Sequence, residues 1–266
     1  MAEHFLGLGA ELYLCGRRLG VLEKAREELL TRHPGKVTVM TCDIRNDAAV
    51  EAMIERIWSE GPLTTLVNNA AGNFVCRTQD LSMRGFDAVT NICFRGTFCV
   101  TQNVGRRWIQ EQIPGTILCL LTTWIWTGSP YVLPSVMAKT GIDAMIKSLA
   151  VEWGPKKIRI NGIAPGTFPT EGASARLSPG SQKQARGDQN PWGRVGLPHE
   201  LQNLATFLVS DGCDFLTGQT VAVDGGGYLA HGASFTELAG LSDEEWRAMR
   251  TQIQAANARD KAQRST

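Results

Sequence analysis

Two kinds of apolar pattern alternate along the chain. Short apolar runs predict buried strands, and longer segments with an apolar residue at every third or fourth position predict amphipathic helices. The predicted strands are 10–15, 37–41, 63–67, 115–122, 158–163 and 220–223, and the predicted helices are 19–30, 47–59, 86–112, 135–153 and 199–210. Because helices of this length between strands imply βαβ units, we expect an α/β fold with a doubly wound parallel sheet covered by helices on both faces.

The character of the sequence changes after Tyr228, where a polar and charged segment begins. We expect residues 1–228 to form one α/β domain and residues 229–266 to form a helical C-terminal extension. Within the extension, residues 242–245 read Ser-Asp-Glu-Glu, which is typical of an N-cap followed by an acidic first turn. Residues 170–188 are rich in Ser, Gly and Gln and are too numerous for an ordinary connection, so they predict a lid.

Composition excludes several classes of partner. The chain has 27 Lys and Arg residues against 26 Asp and Glu residues, so a net charge of +1 gives no reason to expect nucleic acid or an anionic membrane as a partner. No apolar run approaches the roughly 20 residues that span a bilayer. The seven cysteines form no CxxC pair and the four histidines are scattered, which predicts neither disulfides nor a metal site. These features favour a cytoplasmic protein.

Polar and glycine-containing segments follow the predicted strands. Ligands of parallel α/β sheets bind at the carboxyl ends of the strands. The segments at those ends are 16–18, Asp43, 69–71, 122–124 and 165–166. We expect a ligand site along this edge of the sheet.

Several short motifs occur in an order and spacing that resemble the classical short-chain dehydrogenase/reductase family over nearly the whole chain. They are Asp43, 68–72, Lys139, 165–166, 193–196 and 224–226. Within that family, further segments resemble the 2,4-dienoyl-CoA reductases; they are 69–74, 134–139, 150–154 and 170–173. The resemblance implies an oxidoreductase that reduces an unsaturated fatty acyl-CoA in β-oxidation.

The beginning of the chain departs from the family pattern. Family members open with a strand and a Gly-x-x-x-Gly-x-Gly turn, whose backbone N–H groups receive the cofactor pyrophosphate. Residues 1–6 instead resemble the middle of the helix that follows that turn, and Gly7 and Gly9 belong to the loop that leaves it. We therefore expect a single Rossmann-type domain that lacks the first strand. Two explanations are open: a late start of the sequence, or a degraded paralogue.

The predicted cofactor is NADP(H). A carboxylate after the second family strand would accept the ribose hydroxyls of NAD, whereas Arg17 and Arg18, which stand there instead, favour the phosphate of NADP. Both arginines also suit a plain surface position, and Asp43 suits a plain helix cap. The resemblance assigns further cofactor contacts: Asp43 and Ile44 to the adenine, Asn69, Ala70 and Ala71 to the adenosine ribose, and Pro165, Gly166, Thr167 and Phe168 to the nicotinamide.

The predicted catalytic residues are Lys139, Ser135, Trp124 and Arg95. Lys139 is expected to bind the nicotinamide ribose, because a lysine on an apolar helix face needs a polar partner. Ser135 occupies the position of the usual family tyrosine, four residues before the lysine.

Two of these residues depart from the dienoyl-CoA reductases. Trp124 stands where one branch of those enzymes has a tyrosine acid, and Arg95 stands where they have an asparagine. An indole N–H can donate a hydrogen bond but cannot deliver a proton. We hypothesise that Trp124 and Arg95 stabilise a dienolate while water supplies the proton. Simple packing for Trp124 and a solvated helix face for Arg95 are the alternatives.

The resemblance also assigns the substrate side and the assembly. Arg45 and Arg176 are expected to bind the CoA phosphates, and Phe74 and Tyr131 to line the pocket. Tyr131 could alternatively replace the missing acid. A homotetramer built through helices 86–112 and 135–153 is expected. Two other functions are open: a catalytically silent protein with a binding or subunit role, or a ketone or alcohol dehydrogenase of the same family.

Overall fold

The structure is a computed structural model that describes residues 1–169, 190–230, 238 and 240–263, with the side chains of 256–263 excepted. The chain divides into two compact units, Met1–Tyr228 and Leu229–Thr266. The predicted lid at 170–188, and with it Arg176, lies outside the described residues.

The first unit alternates strands and helices in the predicted order. Its strands are β1 (Leu12–Gly16), β2 (Val37–Thr41), β3 (Thr65–Asn68), β4 (Gly115–Leu120), β5 (Ile158–Pro165) and β6 (Thr220–Val223). Its helices are α1 (Ala2–Gly7), α2 (Leu19–Arg32), α3 (Asp47–Trp58), α4 (Met83–Thr90), α5 (Thr97–Glu111), α6 (Trp124–Thr127), α7 (Leu133–Trp153) and α8 (Pro198–Val209). The short helix α9 (Gly227–Ala230) includes the boundary between the two units.

The described strands form two parallel sheets. One contains β1 and β2, with Leu12 opposite Val37, and the other has the order β3-β4-β5-β6. The expected parallel α/β fold is therefore confirmed. The strands do not form one continuous sheet, because β1 pairs only with β2, and β3 only with β4, among the described residues. β1, β2, β3 and β6 thus each have one unpaired edge.

A shared core connects the two sheets on one face. Apolar residues of α3, including Val50 and Ile54, form one cluster with residues of α5, α7, β4 and β5. Tyr13 of β1 and Met40 of β2 pack against the same cluster. The two described sheets are therefore held together by buried apolar side chains and not by hydrogen bonds between strands.

Helix α1 makes a second link. Its residues Met1 and Phe5 pack against the cluster that contains Leu118 of β4 and part of α8. Leu6, only 1% exposed, lies against Gly35, which follows α2. Glu3 of α1 accepts a hydrogen bond from Arg32 at 3.0 Å. One short helix therefore contacts both the four-stranded sheet and the α2–β2 connection.

The predicted helix 86–112 is divided into three segments. Helix α4 begins after Ser82, whose Oγ accepts a hydrogen bond from Gly85 N at 3.1 Å. A π-helix occupies Asn91–Gly96, and α5 continues from Thr97. At Gly96 a Cβ would lie 2.7 Å from Cγ1 of Ile44, so the helix comes closer to this residue than a side chain would permit. Such π segments are frequent at functional sites.

The second unit contains helix α10 (Asp243–Gln263). Ser242 caps it: its Oγ lies 3.3 Å from Glu245 N, and the Glu245 carboxylate accepts from Ser242 N at 2.7 Å. The two bonds form a capping box, in which Ser242 is the N-cap that the sequence pattern predicts. None of the helices in the described residues is long and apolar enough to cross a membrane.

Candidate active site

Lys139 is the most buried cation of the candidate site. It is 6% exposed on α7, and its Nζ donates a hydrogen bond to the carbonyl oxygen of Leu120, the last residue of β4. Burial lowers the pKa of the ammonium group, and the nearby Cys93 and Cys119 thiols oppose that effect. An ammonium group has three N–H donors. Since Leu120 is its one acceptor among the described residues, the remaining donors are available to ligand oxygens.

Ser135 and Trp124 lie at the same end of the sheet. Ser135 is buried one helical turn before Lys139, so both side chains project from one face of α7. Trp124 is half-buried at the start of α6, four residues after the end of β4. Its indole N–H has no acceptor within the described part of the chain. Ser135 therefore lies on the same helix as Lys139, and Trp124 follows the strand whose last carbonyl oxygen accepts from Lys139.

Arg95 has partners that the sequence did not predict. Its guanidinium donates to the carbonyl oxygen of Arg45 at 2.7 Å and to Oδ2 of Asp47 at 2.6 Å. These bonds connect the π-helix to the beginning of α3. To stabilise a dienolate, the guanidinium of Arg95 would have to give up these two hydrogen bonds. That role stays a prediction.

Asp43 and Arg45 form an ion pair. Arg45 donates from Nε to both oxygens of Asp43, at 2.9 and 3.0 Å, and from its backbone N–H at 3.1 Å. These hydrogen bonds lower the pKa of Asp43 to about 2, and Arg17 contributes further. The structure therefore joins a predicted adenine contact to a predicted CoA contact.

Arg17 and Arg18 are exposed at the carboxyl end of β1, immediately before α2. Neither forms an ion pair with a carboxylate of the described residues. An anion beside them would also lie near the N-terminus of α2, where backbone N–H groups are unpaired. This is a suitable place for a phosphate group.

The loop after β3 exposes three predicted ribose contacts, Asn69, Ala70 and Ala71. The preceding Asn68 is buried, and its Nδ2 donates to Oγ1 of Thr101 at 2.9 Å. At the other end, the Sγ atom of Cys93 lies 3.3 Å from both N and O of Gly72. Both ends of the exposed tripeptide are therefore held.

The predicted nicotinamide segment follows β5. Gly166 donates from N to the carbonyl oxygen of Val223 at 3.0 Å, and a Cβ at Gly166 would lie 2.6 Å from Cβ of Asp224. Phe168 covers Gly196, whose N–H donates to Thr167 O at 2.9 Å. Close packing against two glycine-containing segments thus fixes the position of residues 165–168.

A small cavity of about 130 Å³ lies beside Thr167 and Phe168. Its walls include Arg194 and Glu200, which form an ion pair at 2.6 Å. The Arg194 hydrogen bonds lower the pKa of Glu200 to about 2. The pair holds the 193–196 motif against the beginning of α8.

The two predicted substrate residues occupy different environments. Phe74 is partly buried against Val89, Cys93 and Ala138. Tyr131 is 55% exposed and has a φ of +66°, which is unusual for an aromatic residue. Its carbonyl oxygen accepts from Cys76 N at 2.8 Å, which connects the loop before α7 to the loop after β3.

Sequence reasoning missed two features of the site. The rings of Trp126 and Tyr228 pack in a tilted arrangement with centroids 4.7 Å apart, so aromatic side chains that follow β4 and β6 meet. Cys93 and its contact with Gly72 were missed as well. The unusual density of tryptophans at 124–126 was a signal for the first feature, but a separation of about 100 residues concealed the partner.

The residues present fit part of a dinucleotide. The unsatisfied donors of buried Lys139 suit ribose hydroxyls, and exposed Arg17 and Arg18 suit a phosphate. The fit therefore concerns the nicotinamide and adenosine ends of the cofactor.

Comparison with known proteins identifies the family. The model of the family described as enoyl-(acyl carrier protein) reductase matches residues 1–227. A Bacillus subtilis protein named "probable 2,4-dienoyl-CoA reductase" is 38% identical over 86% of this chain and 91% of its own. The Caenorhabditis elegans "probable 2,4-dienoyl-CoA reductase 3" is 32% identical over 98% of this chain and 87% of its own.

A solved structure carries the same fold. The crystal structure of a short chain dehydrogenase from Bacillus anthracis superposes with a TM-score of 0.78 at 37% identity, covering 88% of this chain and 91% of that one. The Rossmann-type fold predicted from the sequence is therefore confirmed. Together with the matches in sequence, this establishes that the chain belongs to the short-chain dehydrogenase/reductase family of oxidoreductases and resembles its 2,4-dienoyl-CoA reductase branch.

Proposed function

We propose that this protein is an NADPH-dependent reductase of an unsaturated fatty acyl-CoA, of the 2,4-dienoyl-CoA type, that acts in β-oxidation. The observation that carries the proposal is the buried ammonium of Lys139, which has donors left for a ligand at the carboxyl end of the sheet. Similarity to proteins named 2,4-dienoyl-CoA reductase over most of the chain supports the substrate class.

Two exposed arginines support NADPH over NADH. Arg17 and Arg18 would bind the 2′-phosphate that distinguishes the two cofactors. Both carboxylate oxygens of Asp43 already accept hydrogen bonds from Arg45, so this side chain is less available to accept one from a ribose hydroxyl of NADH. NADPH, when bound, supplies the hydride.

The chain's own residues would orient the reactants and stabilise charge. Lys139 donates to the ribose hydroxyls through the N–H groups that Leu120 leaves free. The Trp124 N–H donates to the thioester oxygen, where negative charge develops during reduction of a conjugated dienoyl group. Ser135 provides a hydroxyl on the same helix face as Lys139. Water supplies the proton to carbon, because neither indole nor a neutral serine is an acid near neutral pH.

A nucleotide-binding protein without turnover is the second candidate. Arg95 donates hydrogen bonds to Asp47 and to the carbonyl oxygen of Arg45, so its charge is not directed at a substrate. This favours the protein without turnover. The serine at position 135, where the family has its tyrosine, favours it as well.

One series of experiments distinguishes these functions. NADPH and NADH are titrated into the purified chain at equal salt, and oxidation of NADPH is then followed at 340 nm with a 2,4-dienoyl-CoA or a simple ketone. Saturable binding with NADPH preferred, followed by turnover of the dienoyl-CoA, supports the proposal. Turnover of the ketone alone selects an alcohol or ketone dehydrogenase, and binding without turnover selects the silent protein.

The arginines provide a matched control for the cofactor choice. The double variant Arg17→Ala, Arg18→Ala should weaken NADPH binding at least tenfold and leave NADH binding almost unchanged, because only NADPH carries the phosphate. Arg26→Ala, in the helix α2 that follows the two arginines and paired with Glu23, should change neither. An equal loss for both cofactors would contradict phosphate recognition by the pair.

We also propose a homotetramer built through α4, α5 and α7, located in the cytoplasm. Large apolar side chains are exposed on these helices and on the π-helix between them, namely Met83, Phe94, Phe98, Met137 and Val151. Exposed apolar patches of this kind typically mark contact surfaces. Light scattering measures the assembly, and fluorescence microscopy of the tagged protein reports the compartment.

A further inference from the structure

The buried thiol of Cys93 holds one residue of the loop after β3. Cys93 is 0% exposed, and its Sγ lies 3.3 Å from both the amide nitrogen and the carbonyl oxygen of Gly72. A thiol can accept one weak hydrogen bond and donate another. Both polar groups of the Gly72 backbone are therefore paired with a single side chain.

Cys93 also contacts the helix that carries Lys139. It belongs to a small buried cluster with Val89 of α4 and Ala138 of α7, against which Phe74 packs. Ala138 is the residue immediately before Lys139. One side chain of the π-helix thus contacts both the loop after β3 and α7.

The loop is held at three points along its length. Asn68 donates to Thr101 at 2.9 Å and lies 3.5 Å from Sγ of Cys119, which anchors the beginning of the loop. Cys93 holds Gly72, and the carbonyl of Tyr131 accepts from Cys76 further along. Between the first two anchors, residues 69–71 are exposed. A short segment with fixed ends loses little conformational entropy when a ligand binds to its exposed centre.

We infer that Cys93 is a positioning residue that fixes the Asn69–Ala71 loop relative to Lys139, so that both contact the same bound dinucleotide. The inference rests on the proposed dinucleotide binding. Cys93 itself touches no ligand, because it is fully buried beneath Gly72. Its effect is exerted through the Gly72 backbone.

The test compares three variants. Cys93→Val keeps an apolar side chain of similar volume but removes both contacts with Gly72, and Cys93→Ala removes them with a smaller side chain. Cys213→Val is the matched control, because Cys213 is also buried but belongs to the separate cluster around Leu118 and Leu208. Amide hydrogen exchange of peptide 69–74, the dissociation constant of NADPH and the melting temperature are measured for each.

Cys93→Val and Cys93→Ala should each raise the exchange rate of peptide 69–74 about tenfold and weaken NADPH binding by about the same factor, as expected for the loss of weak hydrogen bonds. Cys213→Val should change neither quantity, whatever it does to the melting temperature. Unchanged exchange in both Cys93 variants overturns the inference. Faster exchange with unchanged NADPH affinity also overturns it, because the loop position would then not matter for binding.

Failure of the proposed function gives a different result. If the wild-type chain binds neither NADPH nor NADH, the proposed function fails, and the inference that Cys93 places the loop for a dinucleotide fails with it. If the wild type binds NADPH and the Cys93 variants bind it equally well, the proposed function stands and only the role of Cys93 is refuted.

Discussion

The side chain of Leu6 lies so close to Gly35 that a Cβ at Gly35 would be 2.5 Å from Cδ1 of Leu6. This contact joins helix α1 to the connection between α2 and β2. Helix α1 also packs on the four-stranded sheet through Phe5. A six-residue helix, too short to be stable alone, thus depends on tertiary contacts at both of its sides.

Truncation of Leu6 should destabilise the whole first unit. Leu6→Ala removes a fully buried side chain, which costs about 2–5 kcal/mol in comparable cores. Leu8→Ala is the control, because Leu8 is 63% exposed and its truncation should change the free energy of unfolding little. Urea unfolding measures both. Equal, small losses would contradict the role of α1 as a link between the sheets.

Replacement of Lys139 should change the pH dependence of stability. The folded pKa of Lys139 is lowered from its ordinary value of 10.5, mainly by burial, so below pH 10.5 the unfolded chain binds more protons than the folded one. The ammonium group therefore destabilises the fold increasingly as pH falls from 10.5 to the lowered pKa. Lys139→Met should be more stable than the wild type at neutral pH, and the difference should shrink toward pH 10.5.

The same variant should bind NADPH at least tenfold more weakly, since methionine cannot donate to ribose hydroxyls. Unfolding curves between pH 7 and 10 and a cofactor titration measure the two effects. Lys156→Met, at an exposed lysine that follows the same helix, is the control. A parallel pH dependence in wild type and Lys139→Met would refute the assignment.

The Asp43–Arg45 pair should be visible in a carboxyl titration. The pKa of Asp43, about 2 in place of 3.8, should return toward 3.8 in Arg45→Gln, because the hydrogen bonds from Arg45 are its main cause. The stabilisation by the pair is present above pH 3.8 and is lost as pH falls toward 2. Carbon-detected NMR of the Asp43 carboxyl group provides the measurement. A low pKa that persists in Arg45→Gln would assign the shift to another group.

Substitutions of Tyr131 should affect the free energy of unfolding and the binding of substrate differently. Asparagine adopts positive φ more readily than tyrosine, so Tyr131→Asn should keep or raise the free energy of unfolding, by up to about 1 kcal/mol. Loss of the exposed ring should raise KM for a dienoyl-CoA if Tyr131 lines the pocket. Tyr131→Phe tests the alternative role as an acid. A fall in kcat of more than a hundredfold with unchanged KM in that variant would support acid catalysis and refute a packing role.

Trp124 and Arg95 are tested together by kinetics. Trp124→Phe removes one N–H donor and should lower kcat for a dienoyl-CoA about tenfold to a hundredfold. Arg95→Ala also removes the bonds to Asp47 and Arg45, so its effect on stability must be measured alongside turnover. If neither variant changes turnover, the stabilisation of a dienolate by these two residues is excluded.

The sequence predicts the elements well because their signals are local. Strand β2 and strand β6 have the predicted bounds, since apolar runs bounded by polar or glycine residues define them. Helix α7 begins two residues before its predicted start, at Leu133, because Pro134 is well suited to the first turn of a helix. The π-helix was not predictable, since it accompanies the close approach of Ile44 to Gly96 from a distant part of the chain.

The candidate site was predictable to a lesser degree. Burial of Lys139 followed from the apolar face around it, and the structure confirms that burial. The hydrogen-bond partners of Arg45 and Arg95 could not be predicted from the sequence, because each arginine has several possible acceptors. Only the folded structure shows which of them it binds. The thiol contact of Cys93 with Gly72 is of the same kind.

The division of the strands into two sheets has a consequence for handling the protein. A single six-stranded sheet would have two open edges, whereas β1, β2, β3 and β6 give the described sheets four. Unpaired N–H and C=O groups along a strand are templates for another chain, and pairing of that kind leads to aggregation. We expect concentrated solutions to self-associate along the unpaired edges of the apolar strands β1 and β3.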